Sequence, residues 1–205
     1  MNVPYLLALG FIVGISGAII PGPLLVYTIT QTLRKGPLTG FFVIVGHALV
    51  EVAVTLVLLL GLETYLRSAS LISAVSILGG AYMLYTAYTL HTSSMSVGGR
   101  IQERRYGILV GGIIFTAFNP SFPLWWATAG ARLILEGIRD GGTAGALLVL
   151  IGHWGADFGY YLMVSHLVHR GKEKMAERYL RKIKDALALI LLSIGLYFVK
   201  TGLTP

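Results

Sequence analysis

Gly46-His47-Ala48-Leu49-Val50-Glu51 and Gly152-His153-Trp154-Gly155-Ala156-Asp157 carry one pattern, Gly-His-x-x-x-acid, in opposite halves of a 205-residue chain. The pairing extends outward from this motif. Pro21 answers Pro120, Gly40 answers Gly145, and Gly80, Tyr82 and Thr86 answer Gly195, Tyr197 and Thr201. The chain reads as one transmembrane domain over residues 1–205, made of a repeat over about 1–95 and a second over about 106–205. A cytoplasmic loop over about 91–105 joins them.

The motif sits in unusually apolar surroundings. Hydrophobic residues make up 55% of the chain and charged residues 12%, about half the charged share of a soluble domain, and mean hydropathy is +0.75. Apolar runs at about Val3 to Thr32, Leu38 to Leu62, Ser68 to Leu90, Tyr106 to Leu135, Thr143 to Leu167 and Ile183 to Leu203 approach the length that crosses a bilayer as a helix. They lack the strict alternation of barrel strands. The expected fold is an all-α membrane protein of six transmembrane helices. Each repeat holds three helices, an odd number, so the second copy enters the bilayer inverted.

Twelve of the sixteen Lys and Arg fall in the connections after helices 1, 3 and 5, while Arg67, Arg132, Arg139 and Lys200 lie on the other side. The positive-inside rule then places both termini outside a prokaryotic plasma membrane. This loop charge accounts for the net +7 without a nucleic-acid partner. Met1 to Gly10 carries no basic residue and reads as the start of helix 1 rather than a signal peptide. The mixed-charge stretch from His166 to Asp185 reads as a cytoplasmic amphipathic connector. The absence of cysteine removes thiolate chemistry, and no cofactor is implied.

Two apolar runs are broken. Helix 1 contains Pro21-Gly22-Pro23, and helix 4 contains Asn119-Pro120 followed by Pro123; each proline removes a backbone donor and clashes with the preceding turn. Arg34 follows Pro21 by 13 residues and Arg132 follows Pro120 by 12, which at about 1.5 Å per residue sets both breaks near mid-bilayer. Asn at an N-cap with Pro at the first helical position is a helix-start signal, so Asn119-Pro120 opens a half-helix whose free N–H groups suit an anion.

Glu51 and Asp157 are the two carboxylates deep in apolar sequence, and each follows a histidine by four residues, one turn away on the same helix face. His47 with Glu51, and His153 with Asp157, are candidates for exchanging a proton or holding a cation. The simpler role for such groups is a hydrogen-bonded contact between helices. Glycines at 36, 40, 46, 79, 80, 111, 112, 152 and 155 favour close helix approach and allow a homodimer without requiring one.

Taken together, the Pro21-Gly22-Pro23 break, the series Gly36, Gly40 and Gly46 entering helix 2, and Asn119-Pro120 in helix 4 resemble the lysine-exporter superfamily of six-helix amino-acid efflux proteins, LysE/RhtB type. The resemblance covers nearly the whole chain and implies a role for Asp157, which matches the acid of helix 5 in many members. Many members have Lys after the Asn-Pro, where this chain has Ser121, and continue the helix 2 glycine series where it has Val50.

The resemblance implies export of amino acids or similar small metabolites, driven by the proton gradient. The inverted repeat separately points to alternating access. On this reading Pro21, Gly22, Pro23, Asn119 and Pro120 hold the substrate, and His47, Glu51, His153 and Asp157 handle the proton. The alternative is a divalent-metal exporter with those four residues as N/O ligands. An intramembrane metalloenzyme is disfavoured, since it has no need of matched residues in both halves and no nucleophile is evident.

Overall fold

The computed structural model describes residues 1–20, 22–61, 63–66, 68–92 and 106–204. Pro21 and most of the expected 91–105 loop lie outside the described residues, which are helical with no strand among them.

Helix α1 (Val3–Ala18) starts where Asn2 accepts the Tyr5 N–H at 3.2 Å, with Pro4 in the first turn, a pairing that satisfies one orphan donor and removes another. The chain then bends by 79° into α2 (Pro23–Lys35). Gly36, at φ +96°, ends α2, a backbone angle that costs glycine nothing. Next come α3 (Thr39–Leu59), the short α4 (Glu63–Leu66), α5 (Ala69–Thr92) and α6 (Tyr106–Ala117).

At the second break the Asn119 side chain accepts from the Ser121 N–H at 3.2 Å and the Ser121 hydroxyl at 2.7 Å. It thereby holds the first residue of α7 (Ser121–Trp125), whose N-cap position is taken by Pro120. The expected helix start is present one residue later, with Pro120 at the boundary. A π-helical turn (Trp126–Gly130) leads into α8 (Ala131–Glu173), and α9 (Glu177–Leu203) closes the chain.

Helix α8 is two helices in space. Gly141 and Gly142 leave helical geometry, Gly142 at φ +59°, and the chain doubles back so tightly that a Cβ on Gly145 would run into the Gly137 carbonyl oxygen. The His166 to Asp185 stretch is correspondingly more helical than a connector, with only residues 174–176 between α8 and α9. Among the described residues, four helical stretches are long and apolar enough to cross a membrane, and five if the bent α1–α2 pair counts as one span. This is a multi-pass membrane protein. Exposed Leu49, Leu56, Leu147, Leu189 and Leu196 are at home against lipid rather than water.

Three contacts organise the bundle: α1 against the second half of α8, α3 against α6, and α5 against α9. Glycine makes each of them possible. A Cβ on Gly10 would strike Val149 O and one on Gly152 would strike Leu7 O; likewise Gly46 meets Leu109 O and Gly112 meets Val43 O. Gly80 and Gly195 face each other across α5 and α9. Gly40 and Gly145, paired in the sequence, have different neighbours, Gly40 packing on Tyr161 and Ser165 and Gly145 on its own hairpin. Such packing lets backbones approach where no hydrophobic effect drives helices together.

Candidate functional site

The tight α1·α8 and α3·α6 contacts bring the middle of α3 against the middle of α8's second half. The two His-acid pairs meet there as one cluster. His47 Nε2 lies 2.9 Å from Glu51 Oε1 on its own helix, and His153 Nε2 lies 2.9 Å from the same oxygen. Asp157 Oδ2 is 3.2 Å from His153 Nε2 and 3.8 Å from His47 Nε2. Glu51 is 1% exposed, and His153 and Asp157 are each 3% exposed.

The two acids differ in their hydrogen bonds. Glu51 takes a third donor, the Trp154 indole N–H, at 2.8 Å on Oε2, so both of its oxygens are engaged. Asp157 Oδ2 is buried and makes no hydrogen bond, a costly condition for a polar atom away from water. Trp154 and Thr116, whose Oγ1 lies 2.9 Å from His47 Nδ1, belong to the cluster without having been evident in sequence. Neither stands at a matched position of the Gly-His-x-x-x-acid motif.

Aromatic rings frame the histidines. Trp125 stacks on His153 with ring centroids 5.2 Å apart, Trp126 meets the same ring edge-on at 5.4 Å, and Phe122 meets His47 at 5.6 Å. These tryptophans and Phe122 follow the second break directly, so the interruption at Asn119 delivers them to the cluster.

A cavity of about 350 Å³ joins these parts, within the size range of small-molecule sites. Gly22 and Pro23 from the first break, Asn119 and Ser121 from the second, and His47, Glu51, His153 and Asp157 all line it. Pro120 is buried at the second break without lining the cavity. A larger open cleft of about 830 Å³ near Leu58 and Arg132 has neither histidine nor carboxylate among its lining residues, whereas the smaller cavity holds both pairs.

The family model described as LysE type translocator matches residues 15–202. The chain belongs to the LysE type translocator family. Its members are transporters, not enzymes, and membership implies efflux of amino acids or similar small solutes. No curated protein and no solved structure matches the chain. The matched region of this LysE type translocator contains both helix breaks and all four ionisable residues of the cluster.

Proposed function

We propose that this LysE type translocator is a secondary-active, proton-coupled exporter of amino acids or similar metabolites, working by alternating access between two inverted three-helix repeats. The observation that carries the reading is one cavity lined at once by both helix breaks and by the four-residue cluster. The glycine contacts support the repeat. Gly46 on Leu109 with Gly112 on Val43 is reproduced by Gly152 on Leu7 with Gly10 on Val149, and Gly80 meets its own counterpart Gly195. Exchanging the halves maps each contact onto the other, as a two-fold axis in the membrane plane requires.

The first turn of α2, with the N–H groups of Leu24 and Leu25 beyond Pro23, supplies donors and the positive end of a helix dipole for a substrate carboxylate. Asp157, whose Oδ2 makes no hydrogen bond and faces the His153 and His47 nitrogens at 3.2 and 3.8 Å, answers the amine or the proton. Glu51 holds the frame. Both termini face out, by the distribution of Lys and Arg.

Counterflow of a panel of radiolabelled amino acids into proteoliposomes tests the proposal. Exchange of at least one, lost in Asp157→Asn, supports it; retained exchange in that variant reduces the carboxylate to a structural contact. One observation favours a second reading, a divalent-metal exporter: ligand atoms of His47, Glu51 and Asp157 lie within 4.8 Å of one another. Movement of Zn²⁺, Cd²⁺ or Mn²⁺ with no amino-acid exchange would establish that reading instead.

A further inference from the structure

The cleft of about 830 Å³ near Leu58 and Arg132 lies where the two halves of the chain differ, and helix length is the cause. α8 runs sixteen residues beyond Asp157, to Glu173, whereas α3 ends eight residues beyond Glu51, at Leu59, about two turns sooner. The extra turns of α8 pack on α2. There Thr32 Oγ1 bonds Ser165 Oγ at 3.1 Å, and Lys172 Nζ donates to the Leu33 carbonyl. Thr32 and Ala131 each follow their break, Pro21 and Pro120, by eleven residues, and Ser165 and Leu59 each follow their acid by eight. The buried, hydrogen-bonded pair of one half is thus answered in the other by Ala131 and Leu59, both of which line the cleft.

Helix α3 has 21 residues and at about 1.5 Å per residue crosses the hydrocarbon core. Its end, and the turn at Gly61 with φ +72°, therefore stand at a bilayer boundary. Gly61 and Arg132 line the cleft together. Its walls are Leu58, Leu59, Ile134, Leu135 and Ile138, and Leu59, Leu135 and Ile138 are exposed, so the cleft opens at the surface that meets lipid.

The polar groups of the cleft narrow the occupant. Thr128 donates its hydroxyl to the Leu124 carbonyl at 2.8 Å. Arg132 is exposed, and among the described residues it has no hydrogen bond, ring contact or ion pair. A guanidinium at a membrane boundary beside aliphatic walls is complemented by an anionic group that carries hydrocarbon. A phosphodiester accepts two parallel N–H bonds from that planar fork.

We propose that the cleft is a phospholipid site, with Arg132 holding the phosphate and Leu58, Leu59, Ile134, Leu135 and Ile138 carrying an acyl chain. The lipid comes from the surrounding bilayer. The site is separate from the substrate cavity: Trp126 lines the cavity, while Ala127, Thr128 and Ala129 of the same π-helical turn line the cleft. It requires neither a transported substrate nor proton coupling.

The test is photolabelling of the full chain in dodecyl maltoside by phosphatidylglycerol bearing a diazirine on one acyl chain, with labelled peptides mapped by mass spectrometry. Label falls on residues 58–61 and 127–138. Dioleoyl phosphatidylglycerol displaces it, and dioleoylglycerol, with the same chains and no phosphate, does so about tenfold less well. Arg132→Gln lowers labelling at limiting probe by about tenfold, the loss of a charge-assisted pair of bonds. Ala131→Phe, which puts a ring into the cleft and keeps Arg132, lowers it similarly. Arg139→Gln, an exposed arginine seven residues on that does not line the cleft, leaves it unchanged.

Label spread evenly over the exposed leucines of other helices, equal labelling of Arg132→Gln and wild type, or equal displacement by dioleoylglycerol would overturn the assignment. So would a dimer, detected by light scattering, that Arg132→Gln or Ala131→Phe dissociates, since the occupant is then a second copy of this chain.

Discussion

Replacing Glu51 by Gln separates the two acids that the sequence presents as equivalents. The carboxylate accepts from His47, His153 and Trp154, at 2.9, 2.9 and 2.8 Å. A glutamine has one oxygen and one NH₂ group. With the oxygen toward the histidines, the amide N–H groups confront the Trp154 N–H, donor against donor. The reverse orientation confronts two donors instead of one. The cheaper arrangement still loses one charge-assisted bond and weakens the other two, a cost of about 2–4 kcal/mol. At about 2–4 °C per kcal/mol for a chain of this size, apparent Tm in detergent falls by roughly 5–15 °C. Asp157→Asn breaks no hydrogen bond at Oδ2 but removes a carboxylate 3.2 Å from His153 Nε2, and costs about 1 kcal/mol, less than Glu51→Gln. Fluorescence-detected thermal unfolding of both variants is the assay. Equal destabilisation by the two, or an unaltered Glu51→Gln, would refute the division into a framing acid and a working acid.

Gly152→Ala and Gly46→Ala drive a methyl into the carbonyls of Leu7 and Leu109 and destabilise by about 1–3 kcal/mol; Gly159→Ala, with nothing within 4 Å, is neutral or slightly stabilising in the same thermal assay. Trp154→Phe removes one donor from Glu51 and lowers stability by about 1–2 kcal/mol, measured alongside Glu51→Gln so that the non-additivity of the pair reports their contact. Lys184→Met deletes the ammonium that caps the α5 C-terminus through His91 O at 2.7 Å and costs about 1–2 kcal/mol. Because the chain has no cysteine, single cysteines at Asn2 and Thr204 report sidedness cleanly; both label with an impermeant maleimide in intact cells if the termini face out.

The helices, the breaks and the His-acid pairs were legible because each is a local signal. Apolar length, a proline within it and a four-residue spacing are all properties of one segment. The meeting of the pairs was not legible in this way. It depends on how closely α3 and α8 approach, which Gly46 and Gly152 set through carbonyls of other helices. Trp154 sits in the middle of the repeated motif and still escapes sequence reading, since nothing in a single helix says that its indole reaches Glu51. Thr116 escapes for the same reason, and its counterpart Gly14 carries no side chain to draw attention. The Gly40 and Gly145 pairing shows the converse: a residue match between repeats without a match in packing.

The π-helical turn at Trp126–Gly130 has a bearing on how this chain tolerates changes in length. Elsewhere in a helix, removing one residue rotates everything downstream by about 100°, turning a lipid face inward. A widened turn already contains one residue more than the α-helical path needs. Excising half-buried Ala129 would return the segment to regular α-helix with Trp125 still aimed at His153 and with Leu133 and Ile134 still aimed at Leu6 and Val149. The segment is thus a slack link, where the protein can shed a residue while the cavity wall and the α1 contact keep their alignment.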